Sequence, residues 1–149
     1  MKEHQNLFRD LQEDFRKMKK NLLVAQSGGP TAAINATLAG VIKQAIKEEQ
    51  IDQVYGACYG IQGVLEQKFV NLTEKVDTEE KLEKLKRTPA AALGSCRFKL
   101  NDIKEDDSQY QEIVDILHKM NIGYFVYIGG NDSMDTVGKM SRYVKEHQM

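Results

Sequence analysis

Leu7, Leu11, Phe15 and Met18 recur at spacings of four, four and three within an otherwise polar stretch from Met1 to Lys20. That pattern predicts an N-terminal amphipathic helix that docks on the body or on a partner. Asn21 to Gln26 is a short apolar run ending at Ser27-Gly28-Gly29-Pro30, as expected for a buried strand that feeds a Gly-rich turn. Between Thr31 and Glu49, Ile34, Leu38, Val41, Ile42, Ala45 and Ile46 share one helical face. Asp52 to Cys58 reads as a second strand, Gly60 to Glu66 as a turn or short helix, and Phe69 to Leu72 as a short strand. Thr78 caps a charged helix over Glu79 to Lys86, which closes before Pro89. Ala90 to Leu93 leads into a second small-residue turn, Gly94-Ser95-Cys96-Arg97. Ser108 to Met120 is amphipathic through Ile113, Ile116, Leu117 and Met120. Tyr124 to Ile128 is the strongest strand signal; it enters Gly129-Gly130-Asn131-Asp132-Ser133, and a final helix fills Met134 to Glu146.

Strands alternating with helices imply βαβ units, an α/β fold and a mostly parallel sheet. Ligands on such sheets bind beyond the carboxyl ends of the strands. The 149 residues amount to about one domain. We divide them into an N-terminal helix, 1–20, and an α/β body, 21–149. Lys plus Arg number 21 against 22 Asp plus Glu, so no basic footprint for nucleic acid exists at whole-chain level. No apolar run approaches the roughly 20 residues of a membrane span, and Met1 to Lys20 lacks the apolar centre of a signal peptide. Cys58 and Cys96 are too few for a disulfide framework, which fits reduced thiols in the cytoplasm.

Three loops carry the candidate chemistry. Glycine lets a backbone approach an anion closely, and the free amides at a helix start favour negative charge. Ser27-Gly28-Gly29-Pro30-Thr31 fits that logic, or is simply a tight turn. It is neither a P-loop nor a dinucleotide fingerprint, because both glycine spacings are absent. Arg97 offers a planar fork for phosphate oxygens and Lys99 a mobile point charge; the alternative is an exposed basic loop. Asn131 and Asp132 offer hard oxygens suited to Mg²⁺. Asp132 or Ser133 is otherwise a plain N-cap of the last helix.

Together the three loops resemble the 6-phosphofructokinases. The stretch Ser27 to Ala36 (Ser-Gly-Gly-Pro-Thr-Ala-Ala-Ile-Asn-Ala) is similar to that family's first loop. Leu93-Gly94-Ser95-Cys96-Arg97 is similar to its Leu-Gly-Ser-x-Arg, and Ile128-Gly129-Gly130-Asn131-Asp132-Ser133 to its Ile-Gly-Gly-Asp-Gly-Ser. Order and spacing agree over roughly residues 20 to 146. The resemblance implies a three-layer αβα, Rossmann-like N-terminal part of that fold, incomplete at Met149. It implies transfer of a phosphoryl group to fructose 6-phosphate, giving fructose 1,6-bisphosphate in glycolysis, by a homo-oligomer with Mg²⁺.

The family's Asp-Gly pair is Asn131-Asp132 here, which looks like the pyrophosphate-dependent branch. On the resemblance, Gly28, Gly29, Arg97, Lys99, Gly130, Asp132 and Ser133 hold the phosphoryl donor. Asn131 sits at the metal position. Asp132 is the catalytic, donor-selecting residue, occupying the place of the ATP α-phosphate. The Thr-x-Asp-x-Asp segment with the family's catalytic base and the sugar-phosphate ligands are not among these 149 residues, so the chain alone is expected to lack turnover. The alternatives are an ATP-dependent member, or an inactive remnant that serves as an interaction module.

Overall fold

The chain runs α1 (Lys2–Met18), β1 (Lys20–Gln26), α2 (Ala32–Lys47), β2 (Ile51–Ala57), α3 (Gly60–Leu65), β3 (Phe69–Asn71), α4 (Leu72–Lys75), α5 (Glu79–Arg87), α6 (Ser108–Lys119), β4 (Ile122–Ile128) and α7 (Asn131–Glu146). The computed structural model describes residues 2–27, 32–89, 91–94, 96, 100–102 and 104–147, without the side chains of 15–18, 32, 131 and 132.

Four strands form one sheet in the order β3-β2-β1-β4. β1 is parallel to both β2 and β4, whereas β3 pairs antiparallel with β2. β1 is apolar throughout its centre because it is covered on both faces. Leu23 and Ala25 point into a core shared with Ile61 and Val64 of α3, Ile113 of α6 and Tyr143 of α7. Leu22 and Val24 point into the opposite core, with Leu38 and Ile42 of α2 and Leu82 of α5. Two helical layers sandwich the sheet, giving the three-layer α/β arrangement that the family resemblance implies.

Local signals set most element ends. The Thr78 hydroxyl accepts from the Lys81 amide at 3.2 Å and starts α5. The Asn71 side chain accepts from the Glu74 amide at 3.2 Å, so the chain turns into α4 at Leu72 rather than extending the strand. On α2, Ile46 is 52% exposed although the periodicity assigns it to the buried face. The buried stripe of that helix runs through Leu38, Ile42 and Ala45, and Ile46 lies at its edge.

α1 forms where the spacing places it, but Leu7, Phe8 and Leu11 are 58%, 65% and 58% exposed. Its described apolar side chains therefore do not dock on the body of this chain. β4, Ile-Gly-Tyr-Phe-Val-Tyr-Ile, is at the edge of the sheet, with Tyr124 40% exposed. A long apolar edge strand offers free ladder groups to another copy. We expect the chain to self-associate at tens of micromolar in sedimentation velocity, and Tyr124→Lys to reduce that association. A single monomeric species under those conditions would contradict this.

Candidate anion site at the ends of β1 and β4

The three loops predicted to carry chemistry meet at the carboxyl edge of the sheet. The Ser27 amide donates to the Ile128 carbonyl at 2.8 Å, joining the end of β1 to the end of β4. The Ser27 hydroxyl donates to the Cys96 carbonyl at 3.2 Å, bringing in the second loop. Gly129 lies where the first and third loops touch. A Cβ built on it would overlap the Ser133 Oγ and the Ser27 carbonyl oxygen, and would lie 2.9 Å from the Ser133 Cβ. Only glycine permits that approach. Gly130, by contrast, faces open space, with nothing within 4 Å of a Cβ added there.

α7 begins at Asn131, three residues before the start expected from the sequence, and Gly130 is its N-cap. Asp132 and Ser133 are thus second and third residues of the helix, not its caps. Gly130 has no side chain, so the first amides of this 16-residue helix receive no capping oxygen from their own N-cap residue. The Ser133 side chain is buried, 1% exposed, and its Oγ has no hydrogen-bond partner among the described residues. A buried hydroxyl without a partner costs about 1–3 kcal/mol. A helix N-terminus with open amides and a hydroxyl awaiting an acceptor is suited to an anion.

The loop after β2 walls the same region. Tyr59 and Gly60 both have left-handed φ, 66° and 62°. A bulky residue there is strained, and strain of this kind concentrates near functional sites. A Cβ on Gly60 would come within 2.8 Å of both the Cys96 Sγ and the Tyr127 hydroxyl. The Tyr127 oxygen accepts from the Ile61 amide at 3.1 Å, and burial pushes the phenol above its usual range. Gly94, φ 74°, fits under the Tyr59 ring, 2.7 Å from the position its Cβ would take. Tyr59 is not legible from the residues alone: its only mark is a tyrosine directly before a glycine that needs positive φ.

Of the residues singled out from the sequence, Gly130 and Ser133 are brought together here. Gly28, Gly29, Arg97 and Lys99 lie outside the described residues, and Asn131 and Asp132 are placed by backbone alone, at the start of α7. Among the described residues, no three His, Cys, Asp or Glu side chains gather as a cation site. Among the described residues at this end, the buried Ser133 hydroxyl has a hydrogen left to donate, which suits an anion. Mg²⁺ fits as an ion that the anion brings, since magnesium commonly binds through phosphate oxygens and only one or two protein ligands.

The family description "Phosphofructokinase" matches residues 21–149. A pyrophosphate–fructose 6-phosphate 1-phosphotransferase of Rhodospirillum rubrum is 44% identical over 119 residues, covering 80% of this chain and 28% of the relative. A protein of the same name from Halomonas elongata is 41% identical over 123 residues, covering 82% and 29%. Among solved structures, a pyrophosphate-dependent phosphofructokinase from Nitrosospira multiformis superposes with a TM-score of 0.78 at 36% identity, covering 87% of this chain and 31% of that one. The chain spans less than a third of the length of these relatives. From residue 21 onward, both its sequence and its fold place it in the phosphofructokinase family.

Proposed function

We propose that residues 21–149 form the phosphoryl-donor side of a pyrophosphate-dependent 6-phosphofructokinase, which phosphorylates fructose 6-phosphate to fructose 1,6-bisphosphate. The observation that carries this reading is the buried Ser133 hydroxyl in the first turn of α7, without a partner among the described residues, beside the Gly129 contact between the ends of β1 and β4. Pyrophosphate lies against that turn, and the open amides and the Ser133 hydroxyl donate to its oxygens. Gly28, Gly29 and Gly130 leave room for the backbone to approach it. Arg97 and Lys99 neutralise its outer oxygens. Asn131 would hold Mg²⁺ through its amide oxygen, and the ion would supply positive charge to neutralise the phosphate. Asp132 fills the space that an ATP α-phosphate would need. Phosphoryl transfer depends mainly on such positioning and charge neutralisation. The same reading carries a homo-oligomer and a cytoplasmic setting, with residues 1–20 as a helix apart from the donor-binding body.

The test is calorimetric titration of the chain with magnesium pyrophosphate. We expect saturable binding that Ser133→Ala weakens by roughly tenfold, about 1.4 kcal/mol, the size of a hydrogen bond to a charged group. No binding by the unmutated chain, or equal binding by Ser133→Ala, would overturn the reading.

A further inference from the structure

Two buried amides, at the end of β1 and the start of α2, hold the described residues before the second loop. Gln26 is the last residue of β1 and Asn35 lies in the first turn of α2; both are 0% exposed. The Gln26 Nε2 donates to the Ile34 carbonyl and to the Asn35 Oδ1, each at 3.2 Å. The Gln26 Oε1 accepts from the Leu93 amide at 2.8 Å. The Asn35 Oδ1 accepts from the Ala92 amide at 2.8 Å, and its Nδ2 donates to the Thr88 carbonyl at 2.7 Å. Thr88, Pro89 and Ala91 to Leu93 belong to no helix or strand, so these side chains replace the ladder that a regular element would supply. Beyond Leu93 the backbone is held again: the Leu93 carbonyl accepts from the Tyr59 amide at 2.8 Å, and the Cys96 carbonyl from the Ser27 hydroxyl at 3.2 Å.

We propose that Gln26 and Asn35 are positioning residues for the phosphoryl donor: they fix where Thr88, Ala92 and Leu93 lie, ahead of Arg97 and Lys99 in the chain. This rests on the reading above, that the loop binds pyrophosphate. Neither amide touches the donor. Apolar side chains would satisfy packing alone, and burying two amides is costly unless every group is paired. These amides address two particular backbone N–H groups and one carbonyl, which fixes where the segment lies and not merely that it packs. Small displacements of groups that grip a substrate carry large penalties.

The experiment compares the unmutated chain, Asn35→Ala, Gln26→Met and a core control, Ile42→Val. Each is titrated with magnesium pyrophosphate at a temperature where circular dichroism shows it folded, and amide hydrogen exchange is followed at Ala92 and Leu93. A merely structural role would lower the melting temperature and leave the affinity of the folded chain alone. We expect Asn35→Ala to bind pyrophosphate roughly tenfold more weakly or worse, with faster exchange at Ala92. Gln26→Met is expected to do the same, with faster exchange at Leu93, and serves as the readout should Asn35→Ala not fold. Ile42→Val is expected to bind as the unmutated chain does. Unchanged affinity in the folded amide variants would overturn the positioning role while the pyrophosphate reading stands. No binding by the unmutated chain would overturn both.

Discussion

Gly129→Ala is expected to disrupt the site. The added carbon would meet a backbone oxygen of the loop after β1 and the Ser133 hydroxyl together. Ser133 is buried in α7 and the Ser27 amide is tied to Ile128, so neither neighbour has an easy retreat. Overpacking of this kind costs about 1–3 kcal/mol, occasionally more, and we place it at about 3. For a chain of this size that lowers the melting temperature by roughly 10 °C. Pyrophosphate binding should be lost with it, because the end of β1 and the first turn of α7 must separate. Gly130→Ala provides the contrast. Its Cβ meets nothing within 4 Å and its φ of −91° suits any residue, so stability should change by less than about 0.5 kcal/mol. Thermal unfolding of the two variants checks the pair; equal effects would show that the contact at Gly129 is not as tight as described.

The second large effect concerns donor choice. The backbone puts Asp132 in the first turn of α7, at the end of the helix where an anion is favoured. On our proposal its carboxylate stands where ATP carries its α-phosphate. Two such charges about 4 Å apart repel by roughly 4 kcal/mol at an effective dielectric near 20. That is on the order of a thousandfold in affinity. Pyrophosphate ends before that point and avoids the repulsion. Asp132→Gly should therefore raise the affinity for magnesium ATP by up to about a thousandfold and weaken magnesium pyrophosphate binding. Competition between the two ligands measures the ratio directly. If the unmutated chain already prefers ATP, or if Asp132→Gly leaves the ratio unchanged, the role given to Asp132 is wrong.

Much of this was legible from residues alone, for identifiable reasons. β1, β2, β4, α2 and α6 are long and strongly patterned, and burial on one or two faces leaves a clear period. The Thr78 cap was readable because one hydroxyl at one spacing does the work. Where the reading missed, short-range chemistry competed with pattern. Phe69 to Leu72 looks like a continuous strand, yet the Asn71 side chain captures the Glu74 amide and begins α4. The sequence reading starts α7 too late because Gly130, Asn131 and Asp132 have the composition of a loop, while the helix in fact begins at Asn131, directly after the extended Gly130. Gln26 and Asn35 were invisible as a pair. Nothing in an apolar strand and an amphipathic helix nine positions apart shows that two amides will bond to each other and to a third segment. The same holds for Ser133, whose burial depends on the closeness of Gly129 and Ser27, which only the fold creates.

The most direct test of where the anion binds is amide chemical-shift mapping of the chain during titration with magnesium pyrophosphate. A rival location exists: Lys104, Lys139 and Arg142 line an open cavity of about 290 Å³ with Asp102 and Glu146, well supplied with positive charge. Charge alone would favour that cavity, whereas a preorganised helix start with an unpaired hydroxyl favours the ends of β1 and β4. Our account predicts that the largest saturating shifts fall on Ser27 and on Gly129 through Met134. Shifts concentrated at Lys104, Lys139 and Arg142, with Ser27 and Ser133 unmoved, would contradict it.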